Sequence, residues 1–163
     1  MAPAKDVAQL WRSDLGGENG LSLAGHAAAV QVSSGPLDIN DYKLSPDGKQ
    51  VLLSYGVFTD CATLACTEQR IDARKQDKAS GTVYNKLFVR HWDTWSDGRR
   101  NQLFVGSFGA DGKLPVEPTL LTRGLDRDVP RKPFGDASEF AFAPDGKRVY
   151  FDVRIAGPPE PCA

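Results

Sequence analysis

Histidine and cysteine, which metal centres and many active sites draw on, are scarce here: two and three of them in 163 residues. A metal centre would have to gather His26, His91, Cys61 and Cys66 from distant stretches. C-x4-C with no second pair nearby is a weak zinc pattern, so no metal is expected. His26 stands alone, and an imidazole without a partner makes a poor general acid or base. Hydrophobic runs are short. Nothing approaches the ~18 apolar residues of a membrane-crossing helix, and Met-Ala-Pro-Ala-Lys-Asp at the start lacks a signal peptide's apolar stretch. The chain therefore reads as soluble, cytoplasmic as it stands and periplasmic or secreted if a leader has been removed or lost. Neither sign of charge dominates, with Lys+Arg 20 against Asp+Glu 21, which argues against nucleic acid and against an anionic membrane as partners. A nucleophile elbow G-x-S-x-G, a P-loop, G-x-G-x-x-G, H-E-x-x-H and an EF-hand loop are all missing, so no catalytic residue and no cofactor is assigned.

What is present is one stretch that occurs twice, at Asp38 to Tyr55 and at Asp136 to Val153. In each copy alternating apolar residues (Tyr42 and Leu44; Phe140 and Phe142) lead into Pro-Asp-Gly-Lys and leave along a β-rich run (Val51, Leu52, Leu53; Val149, Tyr150, Phe151). Proline presets φ, aspartate bonds the backbone that follows, and glycine takes the positive φ that ends the turn, so each copy predicts a β-hairpin. The spacing of Pro46 and Pro144 equals two ordinary propeller-blade periods, or one blade with a long insertion.

In chain order, residues 1–36 form a leading segment in which Val7, Leu10 and Trp11 fit one face of a short helix and Ala27 to Val32 a short strand. Residues 37–123 read as one four-stranded propeller blade with an insertion at 59–85, mostly helical or irregular, whose charged run Ile71 to Gly81 is a solvated face. The inner hairpin is Asp41 to Phe58. The outer hairpin is expected from Tyr84 to Trp95 paired with Asn101 to Phe108, and Leu120 to Thr122 closes the unit. Residues 124–163 are a charged link and the first hairpin of the next blade, ending where Pro158 and Pro159 forbid a central strand. The expected fold is all-β: an incomplete propeller of antiparallel four-stranded blades, since closure takes at least about four blades.

Two features invite a functional reading. Arg90, His91, Trp92, Asp93 and Trp95 are candidate interface or substrate-facing residues, because Trp and Arg anchor interfaces and His91 can pair with Asp93. Structurally, the same residues serve by packing Trp92 and Trp95 between blades while Arg90 and Asp93 hold the hairpin, and this reading is preferred. Cys61 and Cys66 are candidates for a loop disulfide or for two buried thiols; the odd cysteine count argues against a disulfide framework.

With both Pro-Asp-Gly-Lys hairpins, Leu87-Phe-Val-Arg-His-Trp-Asp-Thr-Trp95 and Glu139-Phe-Ala-Phe-Ala-Pro-Asp-Gly-Lys-Arg-Val-Tyr-Phe151 in view, the chain resembles the N-terminal β-propeller part of prolyl-oligopeptidase-family serine peptidases. The nearest flavour is the bacterial dipeptidyl aminopeptidase or acylaminoacyl peptidase type, and the likeness covers most of Asp38 to Pro161. The resemblance implies a non-catalytic propeller fragment that gates access of short peptides and docks an α/β-hydrolase domain, its partner in the parent enzyme. No family catalytic residue carries over to this chain, and neither Glu139 nor Glu160 matches an amine-holding position. A stand-alone TolB-like propeller module for protein–protein interaction is the alternative, and a truncated product with no role of its own is a third.

Overall fold

A computed structural model describes residues 6–13, 29–79, 81–84, 89–91 and 94–155. Its elements in chain order are strands β1 (Trp11–Arg12), β2 (Val30–Gln31), β3 (Ile39–Leu44) and β4 (Gln50–Val57), helix α1 (Leu64–Gln76), strands β5 (Arg90–His91), β6 (Thr94–Trp95), β7 (Arg100–Ser107) and β8 (Thr119–Leu120), a 3-10 turn Ala137–Glu139, and strands β9 (Phe140–Phe142) and β10 (Val149–Phe151). Every ladder among the described residues is antiparallel, and these residues are mostly β-sheet with one α-helix. Among the described residues no closed ring of blades is formed, and no helix is long and apolar enough to cross a membrane.

The turns follow directly from local sequence. At each Asp-Gly step the glycine sits at positive φ (Gly48 68°, Gly98 84°, Gly112 71°, Gly146 67°). The aspartate carboxylate accepts the N–H two residues on, from Lys49 at 3.1 Å, Arg99 at 3.0 Å, Lys113 at 3.1 Å and Lys147 at 3.0 Å. The two repeated turns are then closed alike: Ser45 N–H donates to the Gln50 carbonyl at 2.9 Å, and Ala143 N–H to Arg148 at 2.7 Å. Hence β3 pairs with β4, and β9 with β10.

The main sheet has the order β3-β4-β7-β8. This corrects the expected outer hairpin. β4 is paired along its whole length by β7, from Gln50 opposite Ser107 to Val57 opposite Arg100, and the far edge of β7 takes β8. That pairing leaves no place beside β4 for the expected third strand, Tyr84 to Trp95; among the described residues, its β5 and β6 pair with each other. Burial decides the choice. A central strand is covered on both faces, which suits Asn101 to Phe104, all buried, better than a stretch punctuated by Arg90, His91 and Asp93.

Alternation in β4 sends its side chains to two apolar layers. Val51, Leu53, Tyr55 and Val57 join Phe104 from β7 under Leu37, Leu64 and Leu114, with Leu10 and Ile71 at the margin. Tyr55 and Phe104 meet edge to face at 5.3 Å, and burial pushes the Tyr55 hydroxyl up to about 12, with the charge of Glu117 adding to it. On the opposite face Leu52 and Leu103 are covered by Val129 and Phe140, with Phe142 and Val149 alongside. The second hairpin therefore lies against the first sheet, apolar face inward.

Helix α1 lies outside the sheet and buries only Leu64 and Thr67, so its ends matter more than its packing. Thr63 Oγ1 accepts the Cys66 N–H at 3.1 Å. Glu117, from the loop before β8, accepts the N–H groups of Leu64 and Ala65 at 2.9 and 3.1 Å. A carboxylate there satisfies two orphan donors and faces the positive end of the helix dipole, which α1 lacks an acid of its own to do. Residues 6–13 hold no helix, correcting the expected helix over Val7 to Trp11: Val32 N–H donates to the Leu10 carbonyl at 2.9 Å and β1 pairs with β2.

Candidate functional site

The best-organised polar site is the seam between the main sheet and the second hairpin. Lys43 lies on the β3 face that looks toward the hairpin, and its ammonium donates to the Phe140 carbonyl at 2.9 Å while standing 5.7 Å from that ring's centre. Asp41, two residues back and therefore on the same face, has its carboxyl pushed up by burial. The Ala137 N–H opposes that shift and the negative Asp136 adds to it. Asp136 itself caps the 3-10 turn through the Ser138 N–H at 2.7 Å. Glu139 accepts the Arg131 backbone N–H at 2.7 Å and its Nε at 2.9 Å. Those bonds hold its carboxyl below the ordinary value and occupy both oxygens. Gly135 makes the Arg131–Glu139 loop possible, since a Cβ there would collide with the backbone of Arg131 and the Glu139 carboxylate.

The link between the sheets is fastened by buried amides that no sequence motif marks. Gln102 donates to the carbonyls of Leu125 at 3.0 Å and Arg127 at 2.7 Å and accepts from Thr122 at 2.6 Å; Asn101 donates to the Pro130 carbonyl at 3.0 Å. Arg100 bridges Asp126 and Asp128 at 3.2 and 3.0 Å. A polar pair opening an otherwise apolar strand, ahead of a charged link, is the only signal that could have found this clasp.

Of the distinctive stretch Arg90 to Trp95, Trp92 and Asp93 lie outside the described residues. Arg90 and Trp95 are brought together as cross-strand partners, the guanidinium 5.3 Å from the indole centre, and Tyr84 stacks on the same indole at 5.8 Å. Trp95 is 56% exposed, so this ring lies at the surface and not between the two sheets. Cys61 and Cys66 form a disulfide, 5.6 Å between Cα atoms, joining the loop after β4 to the first turn of α1. Beside it Phe58 is flanked by the guanidinium groups of Arg70 at 4.7 Å and Arg74 at 4.6 Å, and Arg70 grips Asp60 through two bonds of 2.7 and 2.9 Å. Arg74 also donates to the Asp97 carbonyl. Burial pushes the Asp97 carboxyl up, but the N–H and charge of Arg99 outweigh it and hold it low.

Chemically, the arrangement can bind and hold. Among the described residues no group of three or more His, Cys, Asp or Glu is placed to hold a metal ion. The Ser33 hydroxyl donates to Gln9; the Ser45 hydroxyl donates to Asp47 and accepts the Gln50 N–H, bonds that close the turn; and the buried Ser54 hydroxyl has no hydrogen-bond partner.

No protein-family model matches the chain, and no solved structure matches it. It is similar to dipeptidyl-peptidase 5 of Arthroderma otae, 29% identical over 136 residues that cover 76% of this chain and 17% of that protein. Dipeptidyl-peptidase 5 of Aspergillus fumigatus is 33% identical over 82 residues, 45% of this chain and 11% of its own length. That of Trichophyton schoenleinii is 35% identical over 88 residues, 48% of this chain and 11% of its own. These likenesses support a peptidase-related family. The matched regions span 17% or less of these curated relatives.

Proposed function

We propose that the chain is a non-catalytic piece of the β-propeller of a prolyl-oligopeptidase-type serine peptidase, within the dipeptidyl aminopeptidase or acylaminoacyl peptidase group. Its role in the parent enzyme is to restrict entry to short peptides and to dock the α/β-hydrolase domain that carries the nucleophile. One observation carries this: the second copy of the Pro-Asp-Gly-Lys hairpin lays Phe140, Phe142 and Val149 on Leu52 and Leu103 of the first sheet, as successive blades stack. The likeness to dipeptidyl-peptidase 5 supplies the enzyme class. In this reading residues 37–123 are one blade and 124–163 a link and the start of the next. The Cys61–Cys66 bond supports a periplasmic or secreted setting, where disulfides persist.

The test has two arms. Treating the purified chain with a fluorophosphonate probe should give no covalent label, and labelling of any serine would overturn the non-catalytic assignment. Grafting residues 37–155 in place of the matching segment of Arthroderma otae dipeptidyl-peptidase 5 should keep hydrolysis of dipeptidyl amides and the exclusion of folded proteins. A chimera that folds and cleaves folded proteins as readily as short peptides would sink the gating role.

A further inference from the structure

In the leading segment three consecutive residues are held by a cradle of hydrogen bonds from residues 32–39. Gln9 Nε2 donates to the carbonyls of Gly35 at 3.1 Å and Leu37 at 3.2 Å, and its Oε1 accepts from the Ser33 hydroxyl at 2.7 Å. The backbone on either side is paired as well. Ala8 N–H donates to Asp38 Oδ1 at 2.7 Å, and its carbonyl accepts the Ile39 N–H at 3.0 Å. Leu10 N–H donates to Ser33 Oγ at 2.8 Å, and its carbonyl accepts the Val32 N–H at 2.9 Å. The cradle keeps its shape by other means. Val32, Ser33 and Leu37 are buried, Leu37 within the layer that holds Tyr55 and Val57, and Leu114 N–H donates to the Val32 carbonyl at 2.8 Å. Ala8-Gln9-Leu10 adds little to that layer: Ala8 is exposed, and of the three only Leu10 reaches it, at the margin.

The donors and acceptors of the cradle decide what it takes. Two carbonyls call for donors, and the Ser33 hydroxyl, which already accepts the Leu10 N–H, calls for an acceptor. A primary amide at the length of glutamine offers both. Glutamate there sets a carboxylate against two carbonyls, and asparagine is one methylene too short. We propose that residues 32–39 form a recognition site for a short peptide with glutamine at its centre, and that Ala8-Gln9-Leu10 fills the site as a tethered ligand. Being on the same chain, this tripeptide competes at an effective concentration on the order of 1 mM. An outside peptide therefore meets the site occupied, and its apparent affinity falls with the fraction of chains in which the site stands open.

Fluorescence anisotropy of a labelled peptide with the sequence of residues 6–13, titrated with the 163-residue chain, tests the site. Gln9→Glu and Ala8→Pro in the chain loosen the tethered ligand and leave residues 32–39 untouched, the second by deleting the N–H that Asp38 holds. Each should bind the peptide at least about tenfold more tightly than the wild-type chain does. A peptide with glutamate in place of its glutamine should bind these variants at least about tenfold more weakly. In the wild-type chain the Val32 and Ile39 amides are released whenever the tripeptide lifts out, so they should exchange with solvent faster than those of β4. Circular dichroism checks that each variant folds; if neither does, the wild-type exchange rates decide. Binding no tighter in the folded variants than in the wild type, equal binding of the glutamine and glutamate peptides, or Val32 and Ile39 amides that exchange only on global unfolding would overturn the site. Any of these outcomes leaves the peptidase assignment where it stands, since that rests on the two hairpins and the relatives.

Discussion

The Lys43 ammonium and the Phe140 carbonyl are 2.9 Å apart although 97 residues separate them in sequence, so one side chain of the first hairpin holds the first residue of the second. Lys43→Met keeps the apolar stem and removes the donor. The loss is expected to be about 1–2 kcal/mol, the scale of one charged hydrogen bond with its ring contact. Urea unfolding should show a lower midpoint with an unchanged slope, and amide exchange should quicken in β9 before β4. An unmoved midpoint would mean that apolar contact alone holds the hairpins together.

Both hairpins were legible because Pro-Asp-Gly-Lys sets its own backbone: the aspartate bond and the glycine φ are made within four residues and need no tertiary help. The partner of β4 was not. Tyr84 to Trp95 and Asn101 to Phe108 both read as strands, and the choice rests on burial of both faces, which local pattern does not reveal. Glu117 as a helix cap is likewise invisible, because it reaches Leu64 from 53 positions away. At the seam, Lys43 reads as a solvent-facing strand residue until the second hairpin is laid over it. Arg90 and Trp95 meet as a hairpin pair would place them, whereas Tyr84 stacking on the same indole is not expected of one continuous strand from Tyr84 to Trp95.

Two seam carboxyls should respond to pH in opposite senses. Glu139, held low by the Arg131 hydrogen bonds, adds stability that is complete above its unfolded value of about 4.3 and is lost as pH falls through the lower folded value. Asp41, raised by burial, works the other way: above its unfolded value of about 3.9 stability falls as pH rises through the raised folded value. Glu139→Gln should therefore destabilise the chain at pH ~7 and leave it unchanged near pH ~2. Asp41→Asn should stabilise it at pH ~7 with no gain near pH ~2. Urea midpoints at the two pH values check both, and a Glu139→Gln loss of equal size at each would show that packing, not charge, is at work.

Ser54 is fully buried in β4, and its hydroxyl is the one buried side-chain polar atom among the described residues without a hydrogen-bond partner. An unmade hydrogen bond at such a site costs about 1–3 kcal/mol. Ser54→Ala removes the hydroxyl and little volume, so it should raise the melting temperature, where a core substitution ordinarily lowers it. A fall in melting temperature would reveal a partner for Oγ that opens only in solution.

The Cys61–Cys66 bond closes a short loop between the end of β4 and the first turn of α1, which also meets the rest of the chain through Leu64, Thr67, Ile71, the Glu117 carboxylate and the Phe58 cluster. Loop-closure entropy for so short a ring is worth about 2 kcal/mol. The double variant Cys61→Ser/Cys66→Ser should lose about that much in urea unfolding. Because α1 lies outside the sheet, the loss should be uneven: amide protection should collapse first in α1 and at Phe58, while β4 and β7 hold until global unfolding. Adding Glu117→Ala, which strips the carboxylate from the helix N-terminus, should then melt α1 while the sheet persists, read as a drop in helical circular dichroism ahead of the main transition. A single cooperative transition in that triple variant would show that helix and sheet fold as one unit.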